Sequence, residues 1–257
     1  MDLGLADKTA LVLGASRGLG AACARELALE GAQVHAAARN TGAISDWAAD
    51  LPEGRVIPVE LDLSSPQSVA ALCERMKATE IDVLVANCGG PKAGPALGRP
   101  VEDWQAAWES MALPIVTIAN ALVPGMTERG FGRVVTIGSS GIESPIPNLA
   151  LSNGVRGMMA GWSKTLASEV AGLGVTVNMV LPGRIGTDRV AELDAGKARA
   201  QGKSAEDVAA ASRATIPTGR YGDPAEFAAV VAFLASTRAS YVTGSMIRAD
   251  GGLLKNL

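Results

Sequence analysis

A short apolar run, Thr9-Ala10-Leu11-Val12-Leu13, is followed at once by Gly14-Ala15-Ser16-Arg17-Gly18-Leu19-Gly20. Ala21 to Glu30 is then rich in helix formers. The apolar run is too short for a helix, so the order reads strand, glycine turn, helix. Glycines remove side chains where backbone must pass close to a ligand, and the free amides of a helix's first turn favour an anion such as a pyrophosphate. The unit is expected to bind a nucleotide. Its spacing, Gly-x3-Gly-x-Gly, departs from the Gly-x-Gly-x2-Gly dinucleotide fingerprint. Taken alone, the turn leaves open a loop that only packs helix on strand.

The same alternation continues along the chain. Strands are expected at Gln33 to Ala38, Arg55 to Leu61, Asp82 to Ala86, Gly132 to Gly138, Val175 to Val180 and Ser245 to Ala249. Between them the helical stretches are about Gly42 to Leu51, Pro66 to Ala78, Val101 to Glu109, a run with Pro114 near its start reaching Met126, Leu151 to Ala171, and Pro224 to Ser236. Short connections of this kind are those of βα units, and the expected fold class is α/β: one domain over 1–257 built on a doubly wound parallel sheet flanked by helices. Asn87-Cys88-Gly89-Gly90 and the glycine- and proline-rich Pro91 to Pro100 form a loop at the carboxyl edge, where such sheets bind ligands. Asp188 to Arg213 reads either as a helical flap over that edge or as an ordinary solvated helix pair. Trp104 and Trp108, four apart, share a helix face suited to core or subunit packing.

Composition removes several classes of function. A net charge of −3 gives no long-range attraction for nucleic acid or an anionic membrane. The first residues carry early acids and no signal-like apolar core, and no later apolar run is read as long enough to span a bilayer, so a cytoplasmic location is expected. Cys23, Cys73 and Cys88 form no Cys-x2-Cys pair and read as small buried thiols. His35 is the only histidine, which excludes a histidine-based metal site and a Ser-His-Asp triad. No metal is expected. The second strand ends Ala36-Ala37-Ala38-Arg39-Asn40, and no acid occurs between Gln33 and Asn40. A fold that prefers NAD places a carboxylate here for the ribose 2′-hydroxyl, whereas an arginine accommodates a 2′-phosphate. Arg39, with Arg17 as a second cation, therefore favours NADP(H) over the reading of both arginines as solvated surface.

Over essentially its whole length the chain resembles the short-chain dehydrogenase/reductase family, and most closely its 3-oxoacyl-carrier-protein-reductase-like members. The matching features are Gly14-x3-Gly18-x-Gly20, Asp62 after the third strand, Asn87-Cys88-Gly89 in place of Asn-Ala-Gly, Pro182-Gly183-x-Ile185-x-Thr187, and Gly244 with Asp250-Gly251-Gly252. The resemblance implies a Rossmann-type fold. It also implies a cofactor held by Gly14, Ser16, Arg17, Gly18, Leu19, Gly20, Arg39, Asp62, Leu63, Asn87, Gly89, Arg156, Pro182, Gly183, Ile185 and Thr187. In that family the glycine loop meets the pyrophosphate, the Asp62 position the adenine, the Asn87 position the ribose, and the Thr187 position the carboxamide. A homo-oligomer, tetramer or dimer, and a small carbonyl or alcohol substrate are implied as well.

The family's reaction uses Asn, Ser, Tyr and Lys, and here the pattern breaks. Ser139 fills the serine position. The tyrosine and lysine positions fall on Ser152 and Arg156, a register that Lys164-Thr165-Leu166-Ala167-Ser168-Glu169 supports, and the asparagine position falls on Met111. Ser152 and Arg156 lie four apart and face the same way on a helix. Arginine can grip ribose hydroxyls with its planar fork, yet stays charged at any working pH and is a poor proton donor. The expected catalytic set is Ser139 polarising the carbonyl, Ser152 or its water supplying the proton, and Arg156 clamping ribose and stabilising the alkoxide. Two other readings stand beside the oxidoreductase: a sensor that binds NADP(H) without turnover, and a non-redox Ser/Arg enzyme partly similar to the halohydrin dehalogenases, which however keep tyrosine and lack the nucleotide loop. Tyr221 and Tyr241 are expected to be structural.

Overall fold

Ala10-Leu11-Val12-Leu13 is apolar at every position, as a strand covered on both faces requires. In the computed structural model, which describes residues 2–256, it forms an interior strand of a seven-stranded sheet. The strands are β1 (Thr9–Leu13), β2 (Gln33–Ala38), β3 (Val56–Glu60), β4 (Val83–Ala86), β5 (Gly132–Ile137), β6 (Val175–Pro182) and β7 (Met246–Ala249). They pair in the order β3-β2-β1-β4-β5-β6-β7, all parallel. The strand order reverses between β1 and β4, and the crevice outside the carboxyl ends at that reversal is the ligand position of an open α/β sheet. The chain is thus a single Rossmann-type domain.

Helices cover both faces: α1 (Gly18–Leu29), α2 (Thr41–Ala48), α3 (Pro66–Met76), α4 (Val101–Met111), α5 (Leu113–Glu128), α6 (Ala150–Val170), α7 (Asp188–Gln201), α8 (Ala205–Arg213) and α9 (Pro224–Ala235). Alternate strand residues divide between two cores, as the two-residue period of a strand demands. Leu11, Leu13 and Leu84 pack with Leu72, Ile115 and Val155. Val12, Val83 and Val85 pack with Leu27, Phe227 and Val231 on the other side.

α6 buries Leu151, Val155, Met159, Ser163, Ala167 and Val170. Ser152 and Arg156 therefore stand one residue around from that stripe, at its margin. Gly154 lets α4 approach: a Cβ there would lie 2.8 Å from Trp104 Cζ3. Trp104 packs against the core, while Trp108 is 37% exposed, so the pair divides between interior and surface.

The structure departs from the sequence-based expectations at several points. β6 continues to Pro182 because Leu181 and Pro182 pair with Arg248 and Ala249 of β7. The loop after Ser139 contains a short 3-10 turn, Ser140–Ile142. Cys23 and Cys88 are buried, but Cys73 is only partly so. Contrary to the expectation that no apolar run reaches spanning length, Val101–Glu128 contains a window long and apolar enough to cross a membrane. Half of that window is buried. The segment is two helices rather than one: Ala112 separates them, and Pro114 in the first turn of α5 supplies no amide for continuing α4. Ile115, Ile118, Leu122 and Met126 of α5 face the core.

Candidate active site

The glycine turn is tight because it must be. Gly14 and Gly18 have φ of +63° and +59°, which side-chain-bearing residues adopt at a cost. A Cβ on Gly20 would collide with the Gly14 carbonyl oxygen and lie 2.7 Å from Asn87 Nδ2. Asn87, at the end of β4, donates from Nδ2 to Leu13 O at 3.2 Å and Gly14 O at 3.4 Å, and so ties the turn across the strand reversal. α1 begins at Gly18 with no side-chain cap from Arg17 and no acid in its first turn. Its leading amides are free for an anion, and the cradle fits a pyrophosphate. Gly20→Ala is expected to weaken NADPH binding at least about tenfold and to cost about 1–3 kcal/mol of stability, since backbone must move to admit the methyl. Calorimetric titration and a thermal melt measure both.

Of the other residues expected in the cofactor site, Thr187 is the one that meets this turn, whereas Gly183, Ile185 and Asp62 have partners elsewhere. Thr187, the residue preceding α7, faces Gly18, with its side chain 3.8 Å from where a Gly18 Cβ would be. Gly183 packs so closely on Asp250 that a Cβ would lie 2.6 Å from its Cα, and Ile185 pairs with Gly222 in an isolated bridge. Asp62 accepts from the Ser64 amide at 2.9 Å and the Ser64 hydroxyl at 2.6 Å. Those hydrogen bonds, and to a lesser degree the Arg39 charge, hold its carboxyl below the usual carboxylate range. Arg39 is exposed at the end of β2. Arg17 is exposed too, with Nη1 3.9 Å from both Asp188 and Glu192 of α7. Such exposed pairs hold weakly, leaving Arg17 able to turn to a phosphate.

Across the cleft, Ser139 Oγ accepts the Gly141 amide at 3.0 Å. One lone pair is thereby occupied and the hydroxyl hydrogen remains to be donated. Arg156 spreads its fork over two strand ends, donating from Nη1 to Ile137 O at 2.7 Å and from Nη2 to Cys88 O at 3.4 Å. It lines a small cavity with Cys88, Met111, Thr136, Met159 and Met179, where Thr136 Oγ1 is buried without a partner. The guanidinium is thus aimed first at the sheet's carboxyl ends. Three of its five N–H groups remain for other partners. Ser152, on the preceding turn of α6, has no side-chain hydrogen bond among the described residues and is half-buried.

The walls of the cleft were not legible in the sequence. The Gly94 amide donates to Asn148 O at 2.7 Å and the Ala150 amide to Gly94 O at 3.2 Å, joining the loop after β4 to the one before α6. Arg248 of β7 ion-pairs with Glu143 in that second loop. Residues 188–213, expected as either a flap or a solvated helix pair, form α7 and α8. They are pinned beneath by Asp194, whose side chain is 5% exposed and takes Arg184 at 2.6 Å and the Tyr221 hydroxyl at 2.6 Å. Burial, then donation to that carboxylate, pushes the Tyr221 phenol up. Tyr221 therefore has the structural role expected of it, whereas Tyr241 is fully exposed. Arg189, at the start of α7, donates to Pro91 O at 3.2 Å and connects that helix to the loop after β4.

Comparison with known proteins places this geometry. The family model described as enoyl-(acyl carrier protein) reductase matches residues 14–254. The 3-oxoacyl-[acyl-carrier-protein] reductase of Escherichia coli is 34% identical over 253 residues, covering 96% of this chain and 97% of that protein. Among solved structures, L-sorbose reductase from Gluconobacter frateurii, complexed with NADPH and L-sorbose, is similar with a TM-score of 0.92 and 32% identity over 100% of both chains. A 3-oxoacyl (acyl-carrier-protein) reductase from Agrobacterium tumefaciens with NADP bound has a TM-score of 0.87 at 29% identity, covering 97% of this chain and 95% of that one.

Proposed function

The chain belongs to the short-chain dehydrogenase/reductase family, and from that premise we propose that it is an NADP(H)-dependent oxidoreductase acting on a carbonyl or alcohol with an altered acid/base apparatus. The observation that carries the reading is the uncapped glycine cradle, facing Thr187 and tied to Asn87, together with a serine past the end of β5 whose hydroxyl hydrogen has no acceptor among the described residues. Gly14 to Gly20 hold the pyrophosphate, Asp62 the adenine, and Arg39 with Arg17 the 2′-phosphate. Pro182 to Thr187 would line the nicotinamide end. When bound, NADPH supplies a hydride to the carbonyl carbon and becomes NADP+.

The residues of the chain do the rest. Ser139 donates to the substrate oxygen and polarises the C=O bond. As the π pair moves onto that oxygen, the Arg156 charge steadies the developing alkoxide. The alkoxide then takes a proton from a water held by Ser139 and Ser152, and bulk solvent replaces that proton. A serine hydroxyl has no acid strength comparable with a phenol, so the final proton comes through water rather than from the side chain. Turnover is correspondingly slow, because a positioned general acid contributes about 10²–10⁴ in rate. The exposed apolar residues Trp108, Leu113 and Met158 on α4, α5 and α6 support a homo-oligomer.

Titration with NADPH and NADH, followed by tryptophan quenching, tests the cofactor assignment. Arg39→Ala is expected to weaken NADPH binding at least about tenfold, with NADH binding unchanged, since a phosphate loses a charge-assisted partner. Equal affinity for the two nucleotides in the parent protein would remove the NADP(H) assignment.

A further inference from the structure

We propose that Asn153 is the residue that positions Ser139. The claim takes the role of Ser139 from the oxidoreductase reading, but its geometry stands independently. Asn153 Nδ2 donates to Ile146 O at 2.9 Å, and Oδ1 accepts the Ile146 amide at 3.4 Å. The carboxamide meets both polar groups of one residue, as a neighbouring strand would. Among side chains, only those of Asn and Gln carry a permanent donor and a permanent acceptor on one planar group. The Leu149 amide also donates to Ile146 O, at 3.2 Å, so Asn153 fastens a closed turn to α6.

The same side chain also comes close to Gly141, two residues on from the serine. A Cβ on Gly141 would be 2.5 Å from Asn153 Oδ1 and 3.3 Å from Ser139 Oγ. Gly141 is thus held between them, and its amide is the donor to Ser139 Oγ at 3.0 Å. A line of contacts runs from a helix fixed by Trp104 at Gly154, through Asn153 to Gly141, and on to the Ser139 hydroxyl. Among the described residues no regular ladder bonds hold residues 143–149; their other fastenings are Glu143 to Arg248 and Asn256, the Glu143 and Ser144 amides to Ser140 O, the Asn153 amide to Leu149 O, and the Gly94 contacts. Without the Asn153 side chain, Ile146 loses both of its bonds to that carboxamide, and the segment next to Ser139 is held less firmly. A displacement of an ångström at a reacting group costs about 10²-fold in rate.

Two variants of the full chain, loaded with NADPH, test the assignment by amide exchange and by hydride-transfer kinetics. Asn153→Ala is expected to speed exchange across 139–147 about tenfold and to lower kcat about tenfold or more, with NADPH affinity within about twofold of the parent. Asn153→Asp is isosteric and keeps the test open if the alanine variant does not fold. Its carboxylate accepts from the Ile146 amide but repels Ile146 O, and on protonation it regains a donor. Its kcat relative to the parent is therefore expected to recover as pH falls, which loss of packing alone would not produce. Unchanged exchange with unchanged kcat in Asn153→Ala would overturn the assignment, as would a pH-independent deficit in Asn153→Asp. Should the parent transfer no hydride, the oxidoreductase reading fails and exchange alone decides: faster exchange supports a positioning role, and unchanged exchange removes it.

Discussion

Ser139→Ala is expected to lower kcat for carbonyl reduction by about 10²–10³-fold while leaving NADPH affinity within about twofold. The reason is directional. Gly141 donates to Ser139 Oγ at 3.0 Å, so the hydroxyl has a lone pair engaged and a hydrogen to give. With no phenol on α6 to share the load, that hydrogen is the main neutral donor to the substrate oxygen, and alanine removes it without touching the glycine cradle on β1 and α1. Steady-state kinetics with a parallel nucleotide titration separates the two quantities. A kcat within threefold of the parent (roughly 0.7 kcal/mol of barrier) would take Ser139 out of the site. Loss of NADPH binding alongside kcat would instead mean that the loop had collapsed.

Ser152→Tyr combined with Arg156→Lys is expected to raise kcat by about 10²–10⁴-fold. Position 152 lies at the margin of the buried face of α6 with its own hydroxyl unpartnered among the described residues, and a phenol there brings a proton donor to the substrate. The gain has a cost. Arg156 holds Ile137 O and Cys88 O with one fork, and a lysine ammonium is a point donor that cannot reproduce a planar pair of bonds. Leaving one strand-end carbonyl unpaired costs about 1–3 kcal/mol. The melting temperature is accordingly expected to fall by several degrees. The pH profile also changes. In the reductive direction the phenol must be protonated, so the variant's kcat falls as pH rises through the phenol pKa, whereas an arginine and two serines give the parent no such limb. A folded variant that binds NADPH yet gains nothing would show that proton supply does not limit the parent.

Much of the fold could be read from the residues themselves, because strand and helix are short-range properties. The apolar run at Thr9–Leu13 and the glycines after it specify a βα unit locally, and the parallel sheet follows from repeating that unit. Most of the residues expected to hold the cofactor could be picked out for the same reason, as they lie just past the carboxyl end of a strand. The Asp194, Arg184 and Tyr221 cluster was not. Its members come from α7, the loop after β6 and the loop before α9, and nothing in their spacing announces a shared hydrogen bond. Arg156 illustrates the limit from the other side. Its place on α6 could be read from its spacing to Ser139 and Ser152, but its aim at Ile137 O and Cys88 O depends on where β4 and β5 end relative to the helix, which is a property of packing. Asn153 escaped notice for that reason too, since its partner Ile146 lies in an irregular loop.

The claim that most needs testing is that a chain with Ser152 and Arg156 in these positions still performs hydride chemistry. The direct measurement is incubation of the unmodified protein with NADPH deuterated at the nicotinamide C4, against a broad panel of ketones and aldehydes, with mass spectrometry of the alcohols. Slow, stereospecific incorporation of one deuterium at the carbinol carbon, slowed a further ~10²-fold or more by Ser139→Ala, is the expected result. NADPH binding with no deuterium in any product would contradict the oxidoreductase assignment and leave a nucleotide-binding protein without turnover.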